Sequence, residues 1–74
     1  MAIVVDPAVA FGKPVIAGTR IAVETITELL AAGDTIEDIV REYEITAQDV
    51  RDCLAYATEV LREQRVAALP NSKR

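Results

Sequence analysis

Residues 3–21 carry short β-branched runs that are separated by turn residues. The segment opens with Ile-Val-Val, and residues 14–16 and 19–21 form the two arms of a predicted hairpin. Gly18 ends the two-residue connection between the arms, where it can adopt the positive φ that such a turn needs. The pattern predicts one short strand and one β-hairpin, joined by an extended connector at residues 8–11.

From residue 23 onward the apolar spacing becomes helical, with apolar residues every three or four positions. The first helix is expected to stop before Gly33, which stands where a left-handed residue commonly ends a helix. Thr35 and Thr46 each precede an apolar stripe and have an aspartate three residues later, a variant of the capping box. These signals predict helices at residues 23–32, 36–43 and 47–68.

The predicted fold is mainly α, with the N-terminal short strand and β-hairpin followed by a three-helix, helix-turn-helix-like domain. On a helical wheel, the apolar positions of the third helix span about 120°, which is wide enough for a core face. This sector is expected to pack against the first two helices; it contains Val50, Cys53, Leu54, Ala57, Val60 and Leu61. Residues 1–69 are expected to form a single domain, and residues 70–74 a flexible basic tail.

A chain of 74 residues buries only about 60% of its unfolded surface, so a monomer of this size is marginally stable. One cysteine cannot form an intramolecular disulfide, and self-association is the remaining source of stability. We therefore expect a homodimer or an obligate partner protein. Unpaired strand edges are the candidate dimer seam, because a second copy can add strands there; the residues are Ile3, Val4, Val5, Val15 and Ile16.

Catalytic chemistry is nearly missing from the sequence, which contains no histidine. Cys53 lies in the apolar sector of the third helix, where a thiol is more often a small hydrophobic group than a nucleophile. No cluster of residues has metal-ligand spacing, so neither a metal nor another cofactor is expected. No apolar run approaches the roughly 18 residues of a membrane span. We expect a cytoplasmic protein that is not an enzyme.

The second helix, the turn at residues 44–46 and the third helix have the layout of a helix-turn-helix, whose second helix reads the major groove. The candidate DNA-binding residues at the start of that helix are Thr46, Gln48 and Arg51, since glutamine pairs with adenine and arginine with guanine. Asp49 and Asp52 would repel phosphate, and the net charge of −4 restricts any contact with DNA to a local patch. A solvated helix flank, with acidic residues favoured by the helix dipole, explains the same residues.

Three consecutive segments of the chain resemble one family of small bacterial and archaeal proteins: GKPVIAGTRIAV, TELLAAGDTIEDIVREYEIT and QDVRDCLAYA. This family, first catalogued as a domain of unknown function, is generally described as VapB-like antitoxins. The resemblance extends over most of residues 3–61. Two positions depart from it, because the family often has proline where this chain has Ala22 and Glu44. We expect these departures to loosen turns.

The resemblance implies an antitoxin of a type II toxin–antitoxin pair, which silences a PIN-like ribonuclease toxin and represses its own promoter as a dimer. Such toxins hold Mg²⁺ with a cluster of acidic side chains, so basic side chains can block the cluster. The candidate toxin-binding residues at the end of the third helix and in the tail are Arg62, Arg65, Lys73 and Arg74. A solvated flank with an ion pair to Glu59 is the preferred interpretation of Arg62 on the helix, and for Arg51 a solvated flank and a contact with DNA are equal alternatives.

Two other functions are compatible with these residues. The first is a stand-alone helix-turn-helix transcription regulator without a toxin, which would lose affinity for its operator as salt rises. The second is a plain dimeric interaction module that contacts neither DNA nor a toxin.

Overall fold

A two-stranded antiparallel sheet opens the fold of the computed structural model, which describes residues 2–64. Strand β1 (Ile3–Val5) pairs with strand β2 (Pro14–Ile16), with Ile3 opposite Ile16 and Val5 opposite Pro14. The ladder continues one step further, where the Ala17 N–H donates to the Ala2 carbonyl at 2.6 Å. The first strand of the sequence thus packs directly beside the second.

The predicted hairpin is present only at its closed end, where the chain reverses as expected. A turn closes with the Thr19 N–H donating to the Ile16 carbonyl at 3.0 Å, and Gly18 takes φ +80°. The second arm pairs with β2 through the Ile16 N–H, which donates to the Ile21 carbonyl at 3.0 Å, and through an isolated bridge between Val15 and Ala22. The Thr19 hydroxyl accepts from the Ile21 N–H at 2.9 Å, and a helix begins two residues later, so this arm is too short to form a strand.

The connector predicted as extended is instead a tight turn, a single 3₁₀ segment at Ala10–Gly12. Three consecutive residues have positive φ there: Ala10 at 51°, Phe11 at 58° and Gly12 at 81°. The Asp6 carboxylate accepts from the Ala8 N–H at 2.9 Å at the start of this loop. The left-handed turn lets a short connection join two antiparallel neighbours.

The three predicted helices are present as α1 (Val23–Ala31), α2 (Ile36–Tyr43) and α3 (Ala47–Glu63). Helix α1 ends in a Schellman motif, in which the Gly33 N–H donates to the Leu30 carbonyl at 3.0 Å and Gly33 takes φ +104°. The Thr35 hydroxyl caps α2 by accepting from the Asp38 N–H at 3.0 Å. Both predicted helix boundaries in this region are therefore confirmed to within one residue.

Helix α3 is described as far as Glu63, and the predicted end at residue 68 lies outside the described residues. Glu63 is its last helical residue, and Gln64 has φ −90° and ψ 36°, outside the helical region. Leu61 is already 69% exposed, so the last turn of α3 has little tertiary packing to stabilise it. Residues 65–68, and the tail predicted at 70–74, lie outside the described residues.

The core lies between the sheet and the three helices. Its largest fully buried side chains come from different elements: Val15 from β2, Ile26 from α1, Ile39 from α2, and Val50 and Cys53 from α3. Tyr43 and Tyr56 pack against this cluster from the side, as half-buried residues. The first half of α3 therefore forms the predicted core face.

The second half of the apolar sector of α3 does not meet the prediction. Leu54 is 40% and Leu61 69% exposed, whereas the sequence predicts that both pack against α1 and α2. Tyr56 still packs against the core, whereas Leu61, near the end of α3, is largely outside it. An apolar strip on α3 is consequently left open to solvent in the described chain.

Candidate nucleic-acid and partner interface

Helices α2 and α3 are joined by a three-residue turn, which sets the geometry of the candidate DNA-binding surface. Glu44 ends α2 in the left-handed conformation, with φ 57° and ψ 45°, and its N–H donates to the Val40 carbonyl. Ile45 follows and is buried in the core. The turn therefore uses glutamate at a position where glycine is common, and the buried isoleucine fixes α3 against α2.

Thr46 has a structural role at the start of α3. Its hydroxyl accepts from the Asp49 N–H at 3.0 Å, and the Asp49 carboxylate accepts from the Thr46 N–H at 3.0 Å. This reciprocal pair is a complete capping box. Asp49, which is expected from the sequence to repel phosphate, is thus held in the cap. The lone pair of the Thr46 hydroxyl that accepts in the cap is not available to a ligand.

Gln48 and Arg51 lie side by side on the exposed face of the first turns of α3. Arg51 Nη2 donates to Gln48 Oε1 at 3.1 Å, and Gln48 Nε2 donates to Asp52 Oδ1 at 2.9 Å. The other oxygen of Asp52 accepts from the Ala2 N–H at 3.4 Å, which ties β1 to α3. Helical periodicity predicts that Gln48, Arg51 and Asp52 lie together. It does not predict the link from Asp52 to the N-terminal strand.

The described part of the chain is strongly acidic. All twelve acidic residues lie between Asp6 and Glu63, whereas only five of the eight basic residues do, so this part has a net charge of −7. Three of its five cations are in ion pairs: Lys13 with Glu24, Arg41 with Asp38, and Arg62 with Glu59. Within residues 2–64, Arg20 and Arg51 are the cations without a carboxylate partner.

The pKa of the exposed Asp38 carboxyl is lowered, chiefly by its hydrogen bond from Arg41 and next by that from Thr35. Arg41 is paired on the surface of α2, with its Nη2 2.6 Å from the Asp38 carboxylate. This pair makes Arg41 a useful comparison for Arg51, because both arginines are exposed on helices but only one lies at the candidate DNA-binding surface.

One of the candidate toxin-binding residues falls within the described chain. Arg62 Nη1 contacts Glu59 Oε2 at 3.0 Å, and both side chains are mostly exposed. The ion pair is the alternative that the sequence suggests for Arg62. Such exposed pairs contribute about 0.2–1 kcal/mol, so a partner's carboxylate can displace Glu59 at little cost. Arg65, Lys73 and Arg74 lie outside the described residues.

The residues predicted as a dimer seam divide into two groups. Ile3, Val4 and Val5 form β1, whose outer edge has no strand partner in the part of the chain that the structure describes. Val15 and Ile16 are buried, and β2 has β1 on one side and Ala22 on the other. The seam prediction is therefore wrong for Val15 and Ile16, because the chain itself covers them, and for β1 it stays a prediction.

An apolar groove of about 470 Å³ lies between α1, β2 and the second half of α3. Its walls are formed mainly by Pro14, Val23, Tyr56, Ala57, Val60 and Leu61. The ion pair between Lys13 and Glu24, with a distance of 3.0 Å, lies at its rim. The sequence analysis missed this groove, since helical periodicity shows which residues are apolar but not which of them stay uncovered.

Phe11 is the second feature that the sequence analysis missed. It is the only phenylalanine of the chain, and its side chain is 98% exposed at the tip of the left-handed turn. Two residues separate it from Pro14 in the groove wall. An isolated aromatic residue between two small residues, outside every periodic stripe, was the signal that could have identified it.

Other chemistry is sparse. Burial, followed by the charges of Asp49 and Asp52, raises the pKa of the Cys53 thiol to about 11. Among residues 2–64 there is no group of side chains suited to bind a metal ion. In that part of the chain, no helix has the length and apolar character that crossing a bilayer requires.

Comparisons with known proteins identify relatives in Mycobacterium tuberculosis. The uncharacterized protein Rv2308 of strain ATCC 25618 / H37Rv is 27% identical over 66 residues, which cover 89% of this chain and 28% of that protein. The crystal structure of Rv2018 matches with a TM-score of 0.64 and 33% identity, over 70% of this chain and 24% of that one. The chain spans about a quarter of the length of each protein.

These relatives support the observed arrangement of a small sheet and three helices, and nothing in them points to an enzymatic activity. The family match covers residues 3–57, from β1 into the second half of α3. It therefore includes the sheet, the helix-turn-helix layout and the start of the groove wall. The chain belongs to the family described as Protein of unknown function (DUF433).

Proposed function

We propose that this protein is the antitoxin of a type II toxin–antitoxin pair, which binds and neutralises a PIN-like ribonuclease toxin and binds its own promoter as a dimer. The observation that carries the proposal is the division of charge along the chain. Residues 2–64 have a net charge of −7, whereas the last ten residues contain three cations and no acidic residue. A basic segment beyond α3 suits an acidic metal-binding cleft.

The end of α3 supports the same mechanism. Arg62 lies on its exposed surface in an ion pair with Glu59 that has little energetic value. Exchange of Glu59 for a carboxylate of the toxin would therefore cost little. Arg65, three residues beyond Arg62 in sequence, would add another cation to the contact.

Expression of the adjacent open reading frame, alone and together with this chain, tests the toxin partner. We expect growth arrest by the neighbour alone, normal growth on coexpression, and copurification of the two proteins. A triple variant in which Arg65, Lys73 and Arg74 become glutamine should lose at least tenfold in affinity for the toxin. The matched control is Arg41→Gln, which removes an exposed cation from α2 and should bind normally.

A harmless neighbour that does not copurify would contradict the toxin proposal. Equal weakening by Arg41→Gln and by the triple variant would contradict the location of the contact, because net charge alone would then explain the loss. These two outcomes test different parts of the proposal.

The surface around Arg51 supports a local contact with DNA. Arg51 has no carboxylate partner within residues 2–64, and only one of its guanidinium donors is used, by Gln48. Its remaining donors are available to a phosphate or a guanine edge. The nearby carboxylate of Asp52 limits the affinity, which agrees with a contact that needs two copies to become strong.

Binding of the chain to its upstream DNA, measured by fluorescence anisotropy at several salt concentrations, tests this part. Arg51→Ala should weaken binding about fivefold to a hundredfold and lower the salt slope by about 1, as for loss of one phosphate or base contact. Arg41→Ala should leave the affinity nearly unchanged. Thr46→Ser keeps the cap and should also bind normally.

Equal affinities of wild type and Arg51→Ala would contradict the proposed DNA-binding surface. If the chain binds DNA and the product of the adjacent gene is harmless, a stand-alone transcription regulator is supported instead. An antitoxin and such a regulator would use the same helix-turn-helix geometry of α2 and α3.

A further inference from the structure

The apolar groove has no occupant within the described chain. It exposes parts of Val60 and Leu61 on α3 and of Pro14 on β2, and Leu61 is 69% exposed. Contiguous apolar surface of this kind marks an interaction site more often than a free surface. The volume of about 470 Å³ is in the range of pockets that accept an apolar group of side-chain size or larger.

Phe11 is an apolar group that lacks a pocket. Its ring is 98% exposed, and its backbone has φ 58°, a conformation that costs an L-residue roughly 1–2 kcal/mol. The residue before it, Ala10, has the same handedness, with φ 51°. The turn therefore holds the aromatic ring away from its own chain at an energetic cost, and strain of this kind is often associated with binding.

Phe11 is close in sequence to the residues that form the groove wall. Gly12 and Lys13 alone separate Phe11 from Pro14, and Lys13 and Pro14 both line the groove. An exposed ring so close to a groove in the chain is self-complementary when a two-fold axis between two copies places each ring over the groove of the other copy. The contact then closes as a dimer and does not propagate.

We propose that two copies of this chain associate by exchanging Phe11, with the ring of each copy packed into the apolar groove of the other, between Pro14 and Leu61. The inference rests on the self-association within the proposed function, but it requires neither the toxin nor DNA. It also places the dimer contact on the turn and on α3, and not on the outer edge of β1.

The area of such a contact is sufficient for a specific dimer. An aromatic side chain buries about 150–250 Å², and each ring covers a comparable area of groove wall. Two such exchanges, each with its ring and its groove wall, give on the order of 1,000 Å², which is the lower bound for a specific interface.

Charge allows this arrangement and gives it a distinct salt dependence. The rim pair of Lys13 and Glu24 is already neutral, so the rims do not repel an apolar ring. The two copies are each acidic, with a net charge of −4, and salt screens their repulsion. Self-association should therefore strengthen as salt rises, opposite to the behaviour of contacts with DNA.

Sedimentation equilibrium of the full chain and of Phe11→Gly is the first test. Glycine removes the ring and relaxes the positive φ, so the variant should stay folded while its dimer dissociation constant rises at least tenfold. Leu61→Ala should weaken the dimer in the same direction. The matched control is Leu54→Ala, an exposed leucine on α3 that does not line the groove and should leave the dissociation constant unchanged.

Disulfide trapping tests whether residue 11 of one copy lies beside residue 61 of the other. A chain with Phe11→Cys, mixed with a differently tagged chain with Leu61→Cys, should form a mixed disulfide under mild oxidation, and a Leu54→Cys partner should not. Cys53 does not interfere, because it is completely buried.

A monomeric wild-type chain, or a dimer of unchanged affinity in Phe11→Gly, would overturn the inference. A dimer that is lost in Val4→Lys but kept in Phe11→Gly would place the contact on the β1 edge and would also overturn it. A dimer contact on the β1 edge would leave the proposed function intact. Conversely, failure of toxin binding or of DNA binding would not affect the exchange of Phe11.

Discussion

Cys53 shows how a single buried side chain links the core to pH. It is fully buried beside the first turns of α3, and the thiol has a pKa of about 11 against an ordinary value of 9.0. Loss of solvation is the main cause, and the charges of Asp49 and Asp52 add to it. A thiol in this environment behaves as a small hydrophobic side chain and not as a nucleophile.

We predict that this thiol contributes a stability that is constant below about pH 9 and decreases between about pH 9 and 11. In that window the unfolded chain releases the thiol proton and the folded chain retains it, so the free energy of unfolding falls with rising pH. The total loss is on the order of 2 kcal/mol. Urea unfolding at several pH values, compared with Cys53→Ala, isolates this contribution from that of lysine and tyrosine.

Alkylation of the thiol at pH 8 should accordingly be far slower in the native protein than in denaturant. Rapid alkylation of the native protein, or identical pH profiles of wild type and Cys53→Ala, would contradict the prediction.

The turn between α2 and α3 depends on one residue in an unfavourable conformation. Glu44 has φ 57°, which glycine adopts freely and proline cannot adopt at all, since its ring fixes φ near −65°. Ala22, the other position where the resembling family often has proline, has φ −75° and would accept it. The two departures from the family are therefore not equivalent in this backbone.

We predict that Glu44→Gly stabilises the fold by roughly 0.5–1 kcal/mol, because the cost of the left-handed conformation is removed. Glu44→Pro should destabilise it by about 3 kcal/mol or more, since the turn must change. Chemical denaturation measures both values, and Glu44→Ala, which retains the cost, is the control. A stable Glu44→Pro variant would show that this turn is not the one adopted.

Helix α3 combines two different surfaces along one element. Its first half is capped by Thr46 and Asp49 and buries Val50 and Cys53, whereas Leu61 in its second half is 69% exposed. The first half therefore anchors the helix in the fold, and the second half carries surface available to a partner.

The core of the assembled fold is small, and a few side chains supply most of its apolar packing. Ile26 of α1 and Ile39 of α2 are almost completely buried, together with Val50 of α3. A chain of this length has a net stability of roughly 0.05–0.15 kcal/mol per residue. The loss of one large core side chain is comparable with that total.

We predict that Ile26→Ala lowers the free energy of unfolding by about 2–5 kcal/mol and leaves a large fraction unfolded, whereas Ile26→Val costs about 0.5–1.5 kcal/mol. Circular dichroism during urea unfolding measures both. Because a dimer adds stability through mass action, the melting temperature should also rise with protein concentration. A melting temperature independent of concentration, or a mild effect of Ile26→Ala, would contradict this description of the core.

Most helix boundaries could be predicted because their causes are local. A threonine cap acts on an N–H three residues away, as at Thr35 and Thr46. The positive φ of Gly18 and Gly33 also depends on adjacent residues, and the amphipathic stripe of α3 repeats within two turns. Such signals are complete within a short stretch of sequence, so they predict helix boundaries without knowledge of the rest of the fold.

Three features depended on contacts between distant segments. The ladder of β2 is formed mainly with β1, Val15 and Ile16 lie in the core and not at a seam, and Phe11 lies close in the chain to an uncovered groove. The sequence pattern shows that a residue is apolar or β-branched. Its pairing and burial depend on which distant segment of the chain packs against it. The packing of the whole chain therefore selected the strand partner, and it alone determined which apolar residues of α3 remained exposed.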